Sequence, residues 1–435
     1  MASETAIAAV MLACLIAGFV AMTRFGTSQA LVMPLLAMAF LALDPEASAG
    51  ILQASFSEFG PVALLFTAVA VPAHQLQEGR LFELFGAWLG RGTGWLSLRY
   101  PSVRLAVIIF AIQFLTAIAA ALFHNITAIF VMVPIAIAIC NRFKFPSHWI
   151  LCGELIASNL GGFSSRWGDT PNIIEANVWN LSNQIFIQIL PANVFILCAL
   201  SVCVLVLTSR AASEPTAKQS APDLALASAQ FGRQSIELDL DWRRIGIGLA
   251  ALGGLIALQF AWREWEIAWA AAAICFAVAA ERKSDRLHSL QALGIDIYMT
   301  LISLFVIAHC FGASLLGNAL HAMIQQSGGA PWAIVVSSYF GTMFTEAASW
   351  ASTAAKTTHA INPSHAAAWA LGGGICAGSS SLLTAASAGL ILWNESCRRK
   401  GHGVTFGSYI LFGLGFSSFM VIVYTAYTSL IPFRD

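Results

Sequence analysis

The sequence predicts an all-α polytopic membrane protein, with about ten transmembrane helices and two re-entrant hairpins arranged as an inverted repeat. Three observations carry this reading. Of 435 residues, 58% are hydrophobic and 10% charged, outside the range of a soluble globular domain. Several apolar stretches approach the roughly 20 residues that span a bilayer. Two of these stretches, in corresponding places of the two halves, are interrupted by glycine and polar residues, as in the discontinuous helices of secondary carriers. The formal net charge is +0, so no basic field points to nucleic acid as a partner. The partners expected are the lipid bilayer and a small inorganic ion or small anion as substrate.

Apolar runs predict spans at about 6–22, 28–43 and 59–77. The first lacks the positive n-region and cleavage site of a signal peptide. Arg24 follows it directly, which puts the N-terminus outside under the positive-inside rule. Residues 103–141 come next, almost uncharged, with basic residues at both ends and a polar knot, His124-Asn125, in the middle. They form either two spans with a tiny external turn or a re-entrant hairpin whose tip lies within the membrane. Non-helical backbone at that depth must be buried in protein or line a cavity. A broken helix at about 149–180 and a span at 185–208 complete the first half. A polar, Ala/Ser/Pro-rich segment at 209–241 reads as a flexible cytoplasmic linker.

The second half repeats the order with the opposite orientation. Spans are expected at about 245–261, 267–280 and 295–316, then a hairpin at 330–361 around Thr345-Glu346. A broken helix at 366–395 and a final span at 407–431 follow. Segments 44–58, 181–184, 317–331 and 361–365 are nearly free of Lys and Arg and are expected to be external loops. The two repeats are therefore 1–208 and 242–435.

The stretch "IASNLGGFSSRWGDTPNIIEANV" (156–178) carries the chemistry of the first half. Gly161, Gly162, Gly168 and Pro171 are poor residues for a helix interior. Unwinding there frees carbonyls for a cation and exposes helix ends. Asp169 adds a full charge, and Asn125 and Thr127 at the facing hairpin tip add oxygens. With Gly168 and Asn172 they form the candidate cation or substrate site. Hard oxygen ligands of this kind suit Na⁺ or a proton rather than a soft metal. The other reading is an extramembrane loop with solvated charges. Arg166 either neutralises Asp169 or binds an anionic substrate.

In the second half, Glu346 is a carboxylate inside a membrane segment, costly there and a functional candidate by default. It is read as a proton-coupling group together with Asp169 and His124, or else as a surface group or a structural partner of Lys356. Nine scattered cysteines without a CxxC give no reason to expect a disulfide framework or a metal site. No HExxH, GxSxG or P-loop is present. Neither enzymatic activity, nor ATP-driven transport, nor a cofactor is expected.

"HNITAIFVMVPI" (124–135) followed by "ASNLGGFSSRWGDTPNII" (157–174) resembles the ion transporter superfamily, which includes arsenite permeases, NhaD-type sodium/proton antiporters, the P protein and dicarboxylate symporters. "LISLFVIAHCFGASLLG" (301–317) and "ALGGGICAGSSSLLTAASAGLIL" (370–392) stand in the second-half places. The resemblance implies an inverted repeat with two re-entrant hairpins, a homodimer and elevator-type motion. The sequence departs from the pattern at His124, at the second tip "FTEAASWAS" (344–352), and in the second broken helix, which has no Asn. There Ser379, Ser380, Ser381 and Thr384 remain, and Glu346 is read as turning a second cation site into a proton site. This serine-rich motif is similar to the magnetosome-membrane, MamN-like branch. The function expected is proton-coupled cation antiport of the Na⁺/H⁺ type. The alternatives are an anion permease for arsenite-like oxyanions or carboxylates, and a transport-dead membrane assembly partner. The membrane expected is a bacterial inner membrane or an organelle derived from it.

Overall fold

A computed structural model of the chain describes residues 2–25, 29–43, 45–99, 104–211, 229, 233, 238–261, 266–282, 295–397 and 401–433. Most of the expected linker at 209–241 lies outside these residues. Every regular element among them is helical. The first half contains α1 (Ala2–Phe25), α2 (Gln29–Leu43), α3 (Pro45–Glu78), α4 (Leu81–Arg99), α5 (Arg104–Phe123), α6 (Asn125–Phe143), α7 (His148–Phe163), α8 (Thr170–Val178) and α9 (Leu190–Ala211). The second contains α10 (Trp242–Ala261), α11 (Glu266–Ala280), α12 (Ile295–Ala313), α13 (Leu315–Gln326), α14 (Pro331–Phe344), α15 (Ala347–Ile361), α16 (His365–Ser379), α17 (Ser387–Cys397) and α18 (Phe406–Leu430).

Short breaks separate several of these helices. Only residue 124 separates α5 from α6, only 345–346 separate α14 from α15, and 164–169 and 380–386 divide the two broken helices. Four described helices are long and apolar enough to cross a membrane: Leu105–Leu122, Asn125–Phe143, Leu190–Ala211 and Phe406–Leu430. Tyr298–Ala313 and Leu315–Gln326 make a fifth if this pair, bent by 66°, counts as one span.

Three expectations need correction. Segments 44–58 and 317–331, read as external loops, are largely helical, as the start of α3 and as α13. A segment too polar for hydrocarbon can still be helical, so hydropathy marked the edge of an apolar window, not the end of a helix. The helix α4 was not anticipated. Its Gly, Arg and Trp residues dilute the apolar signal over 81–99.

Packing in the two halves follows one scheme. The pairs α5·α7, α7·α9 and α5·α9 recur as α14·α16, α16·α18 and α14·α18. The returning arm of each hairpin crosses to the opposite half: α6 packs on α17, and α15 packs on α8. Small residues permit the close crossings. A Cβ on Gly161 would collide with the Ala117 carbonyl of α5, and one on Gly374 with the Val335 carbonyl of α14.

The last helix makes contacts near both of its ends. At its start, His402 Nδ1 pairs with Ser147 Oγ (2.7 Å) at the base of the first hairpin. Near its end, Tyr427 O–H donates to the Gln188 carbonyl (2.6 Å), and the Gln188 side chain accepts from Trp369 Nε1 (3.2 Å) beside the second hairpin. The two ends lie about 37 Å apart at 1.5 Å per helical residue.

Outside this body, α10 and α11 pack on α3, and α12 packs on α2 and α3. An ion-pair cluster closes one end of this scaffold. Arg244 lies 3.3 Å from Glu281 and 3.1 Å from Glu78, and Gln75 Nε2 donates to Glu281 (3.0 Å) and to the Ala277 carbonyl (2.9 Å). Glu281 is only 4% exposed. Arg244→Met removes the guanidinium that compensates it, and is expected to cost about 3 kcal/mol, the low end for a broken buried pair because Arg244 is partly exposed. Thermal unfolding in detergent checks this. Adding Glu281→Gln should recover much of the loss, since the charge then goes with its partner.

Candidate functional site

The first hairpin tip is held against the first helix break through the backbone. His124 has φ 79°, a left-handed value that costs a non-glycine residue about 1–3 kcal/mol. Its Nδ1 accepts from Ile126 N–H (3.4 Å), and Nε2 stands 3.4 Å from Thr170 Oγ1. Asn125 N–H donates to the Gly168 carbonyl (2.9 Å), and its side-chain N–H₂ donates to Asn159 Oδ1 (3.4 Å). Asn125 Oδ1 is buried with no hydrogen-bond partner among the described residues.

The break itself is clamped by Asn172, whose side-chain N–H₂ donates to the carbonyls of Gly162 and Ser165, both at 2.7 Å. Gly162 and Gly168 approach so closely that a Cβ on either would meet the other's carbonyl oxygen. Asp169 caps α8: Thr170 N–H donates to its Oδ1 (2.9 Å), and Pro171 stands in the first helical turn, where a missing N–H costs nothing.

In the second half, Glu346 caps α15. Its Oε2 accepts from Ala348 N–H (2.9 Å), Ser349 N–H (3.2 Å) and Ser349 Oγ (3.4 Å), and its Oε1 accepts from Ser387 Oγ (3.3 Å). A buried carboxylate needs such bonds, since an unpaired one bears its full desolvation cost.

The two tips and the two breaks meet at one cavity. It is lined by His124, Asn125, Ile126, Asp169, Thr170, Leu301, Phe305, Glu346, Ala347, Ala348, Ala386 and Ser387. Leu301 and Phe305 belong to α12, so the scaffold supplies one apolar wall. Helices α6, α8, α15 and α17 all begin here, with their partially positive ends turned to the space. Two of those ends are already occupied by the chain's own carboxylates, Asp169 and Glu346.

Residues 3–389 match the citrate transporter family, CitMHS. The chain belongs to this family. It is therefore a multi-pass integral membrane protein of a transporter family, and the resemblance to the ion transporter superfamily holds over most of its length. Among curated relatives, magnetosome protein MamN of Magnetospirillum gryphiswaldense is 26% identical over 408 residues, 86% of this chain and 87% of MamN. An uncharacterised transporter of Mycobacterium bovis is 27% identical over 140 residues, 32% of this chain and 31% of that protein. The mouse P protein is 29% identical over 124 residues, 28% of this chain and 12% of that protein. The chain thus spans about a third of the mycobacterial relative and most of MamN.

The fold does not bring all the expected site residues to the cavity. His124, Asn125, Asp169 and Glu346 line it. Gly168 contributes through its carbonyl, bonded to the tip. Thr127 is buried on α6 away from the lining, and Asn172 is committed to the clamp. Ser379, Ser380 and Ser381 donate back to the carbonyls of Cys376 and Gly378, closing the end of α16 upon itself. Thr384 is buried and outside the lining. Arg166 does not bond Asp169; its guanidinium donates to Asn177 Oδ1 (3.0 Å). Lys356 is exposed on α15, away from Glu346 and the cavity.

Sequence reasoning missed Thr170, Ser387 and Asn159. The first two follow directly from counting: each is the first residue of the helix after a break. Asn159 bonds both Asn125 and Ser380 Oγ (3.1 Å), linking the halves, and nothing local distinguishes it.

Proposed function

We propose that this transporter exchanges a monovalent, Na⁺-type cation for protons by alternating access. The observation that carries the reading is the pairing of Asp169 and Glu346 in one cavity, with no Lys or Arg among its described lining residues. Anionic substrates in such sites are received by helix N-termini and basic side chains. Here two helix N-termini already hold carboxylates, so a further di-anion would meet like charge. A cation gains two acids, the free Asn125 Oδ1 and the cavity's hydroxyls.

Asp169, with Asn125, is the cation-holding half. Glu346 is the proton-coupling half, with His124 beside Asp169 as a further proton acceptor. Counted from the helix starts, Asn125 corresponds to Ala347 and Asp169 to Ala386. The second half has no counterpart of the first cation site, which supports proton rather than metal-ion binding at Glu346. The recurring packing scheme and the opposed hairpins support an inverted repeat of 1–208 and 242–435 joined by a cytoplasmic linker. Ten spans and a homodimer are consistent with the family resemblance.

The test is proton flux in liposomes with an imposed pH gradient and a trapped pH dye. Addition of Na⁺ or Li⁺ is expected to collapse the gradient. Glu346→Gln should lower the rate by roughly a hundredfold, the usual scale for a lost proton-transfer group. Collapse with citrate, arsenite or another small anion alone would establish the permease reading, which the four converging helix ends favour. A folded protein silent to every ion would fit a transport-dead assembly partner.

A further inference from the structure

Behind the cavity, a chain of hydrogen bonds joins the first hairpin tip to the second helix break. It begins at Ser380, fully buried where α16 ends. The Ser380 hydroxyl donates to the Cys376 carbonyl (2.8 Å), four residues back. Its one proton is then committed, so toward any other neighbour its oxygen can only accept. Asn159 of α7 meets it there, and its side-chain N–H₂ donates to Ser380 Oγ (3.1 Å). The Ser380 carbonyl receives the Tyr409 hydroxyl (2.6 Å), which ties the serine to α18.

A side-chain amide that turns its nitrogen to one neighbour turns its oxygen the other way. Asn159 Oδ1 therefore faces Asn125 and accepts from the Asn125 side-chain N–H₂ (3.4 Å). By the same rule Asn125 has its oxygen left over, and that Oδ1 is the buried acceptor without a partner among the described residues. Such an atom bears its full desolvation cost, which a cation in the adjoining cavity would offset. Asn125 lines the cavity; Asn159 does not.

The tip does not need this chain to stay in place. The bond from Asn125 N–H to the Gly168 carbonyl already holds it on the break. What that bond leaves free is a half-turn of the Asn125 amide, which would exchange an acceptor for a donor. Asp169 stands beside the same side chain, since a Cβ on Gly162 would lie 3.3 Å from the Cβ of both residues. A carboxylate only accepts, but a protonated carboxyl can donate, so Asp169 cannot fix the amide through every state of an exchange cycle. Asn159 does not titrate and holds one orientation throughout.

We propose that Asn159, itself oriented by Ser380, is the positioning residue that turns the Asn125 amide oxygen toward the cavity and so fits the site to a cation. The proposal deepens the cation reading of the cavity and rests on it. Neither Asn159 nor Ser380 touches the ion. A serine of the second half thereby sets the polarity of a ligand in the first.

Calorimetric titration of the purified full-length protein with Na⁺ tests this. Asn159→Leu is expected to weaken Na⁺ binding roughly tenfold, the scale of one contact to a charged group. Asn159→Asp should bind Na⁺ no more weakly than wild type, because it still offers Asn125 an oxygen. Ser380→Ala frees Asn159 to turn and should weaken binding, by no more than Asn159→Leu does. It removes a single oxygen, so it keeps the proposal falsifiable if Asn159→Leu does not fold. In an Asn125→Leu background, Asn159→Leu should cause no further loss, because no amide is left to orient; a residue that merely packs would lower the affinity equally in both backgrounds. Equal losses would overturn the proposal. Wild-type affinity in Asn159→Leu, or in Ser380→Ala, would overturn it too and leave the cation reading intact. A wild type that binds neither Na⁺ nor Li⁺ would remove the cation reading, and the proposal with it.

Discussion

If the cavity holds Na⁺ as proposed, Asp169→Asn is expected to abolish cation-driven proton flux and to reduce sharply the rise in thermal stability on adding Na⁺. The side chain has two tasks. One oxygen accepts Thr170 N–H at the start of α8, and the carboxylate faces the cavity opposite Glu346. Asparagine retains an acceptor for the cap, so the helix start survives. What disappears is the negative charge next to Asn125 Oδ1. An interaction with a charged group is worth about 1.5–3 kcal/mol, which corresponds to roughly a ten- to hundredfold loss of cation affinity. Because a bound ion stabilises by RT ln(1 + [L]/Kd), the Na⁺-dependent shift in unfolding temperature should shrink to a small fraction of the wild-type shift at a concentration near the wild-type Kd. A variant that keeps the shift would place the cation elsewhere.

Asn172→Leu is expected to have an effect of similar size for a different reason. Asn172 does not line the cavity; its amide bonds the carbonyls of Gly162 and Ser165 and holds the break closed. Leucine leaves two carbonyls in a buried loop without these donors, at about 1–3 kcal/mol each. The loop between α7 and α8 then loses its shape, and with it the Gly168 carbonyl that receives Asn125 N–H. The expected result is a lower unfolding temperature together with weaker Na⁺ binding. A direct ligand would give weaker binding at unchanged stability, so measuring both separates a clamp from a ligand. Asn172→Asp should behave like leucine, since a carboxylate cannot donate to a carbonyl.

These two residues also show what was legible in advance. The sequence marks them as one cluster, because Gly161, Gly162, Gly168 and Pro171 announce a helix that cannot continue through the membrane. It does not say which one turns to the cavity and which to the backbone. That depends on Gly168 and the first hairpin tip meeting, through a bond between residues far apart in sequence. The same limit explains Ser379, Ser380 and Ser381. Three hydroxyls in a row read as a polar lining, but a serine at the end of a helix can bond its own carbonyls, and all three do. Arg166 and Lys356 were plausible counter-ions by spacing, yet their side chains end at Asn177 and at the protein surface.

By itself, the sequence determined the class of the molecule and the positions of its interruptions. Membrane helices announce themselves by length and apolarity, and breaks by glycine, proline and unmatched polar groups, all properties of neighbouring residues. Only the tertiary structure decided which polar groups share a space. Glu346 joins Asp169 at one cavity because α15 crosses to α8 in the other half, and Glu175 is sealed off because Gly372 lets α16 close over it. Those outcomes are set by the rotation and crossing of helices distant in sequence, which no local pattern encodes.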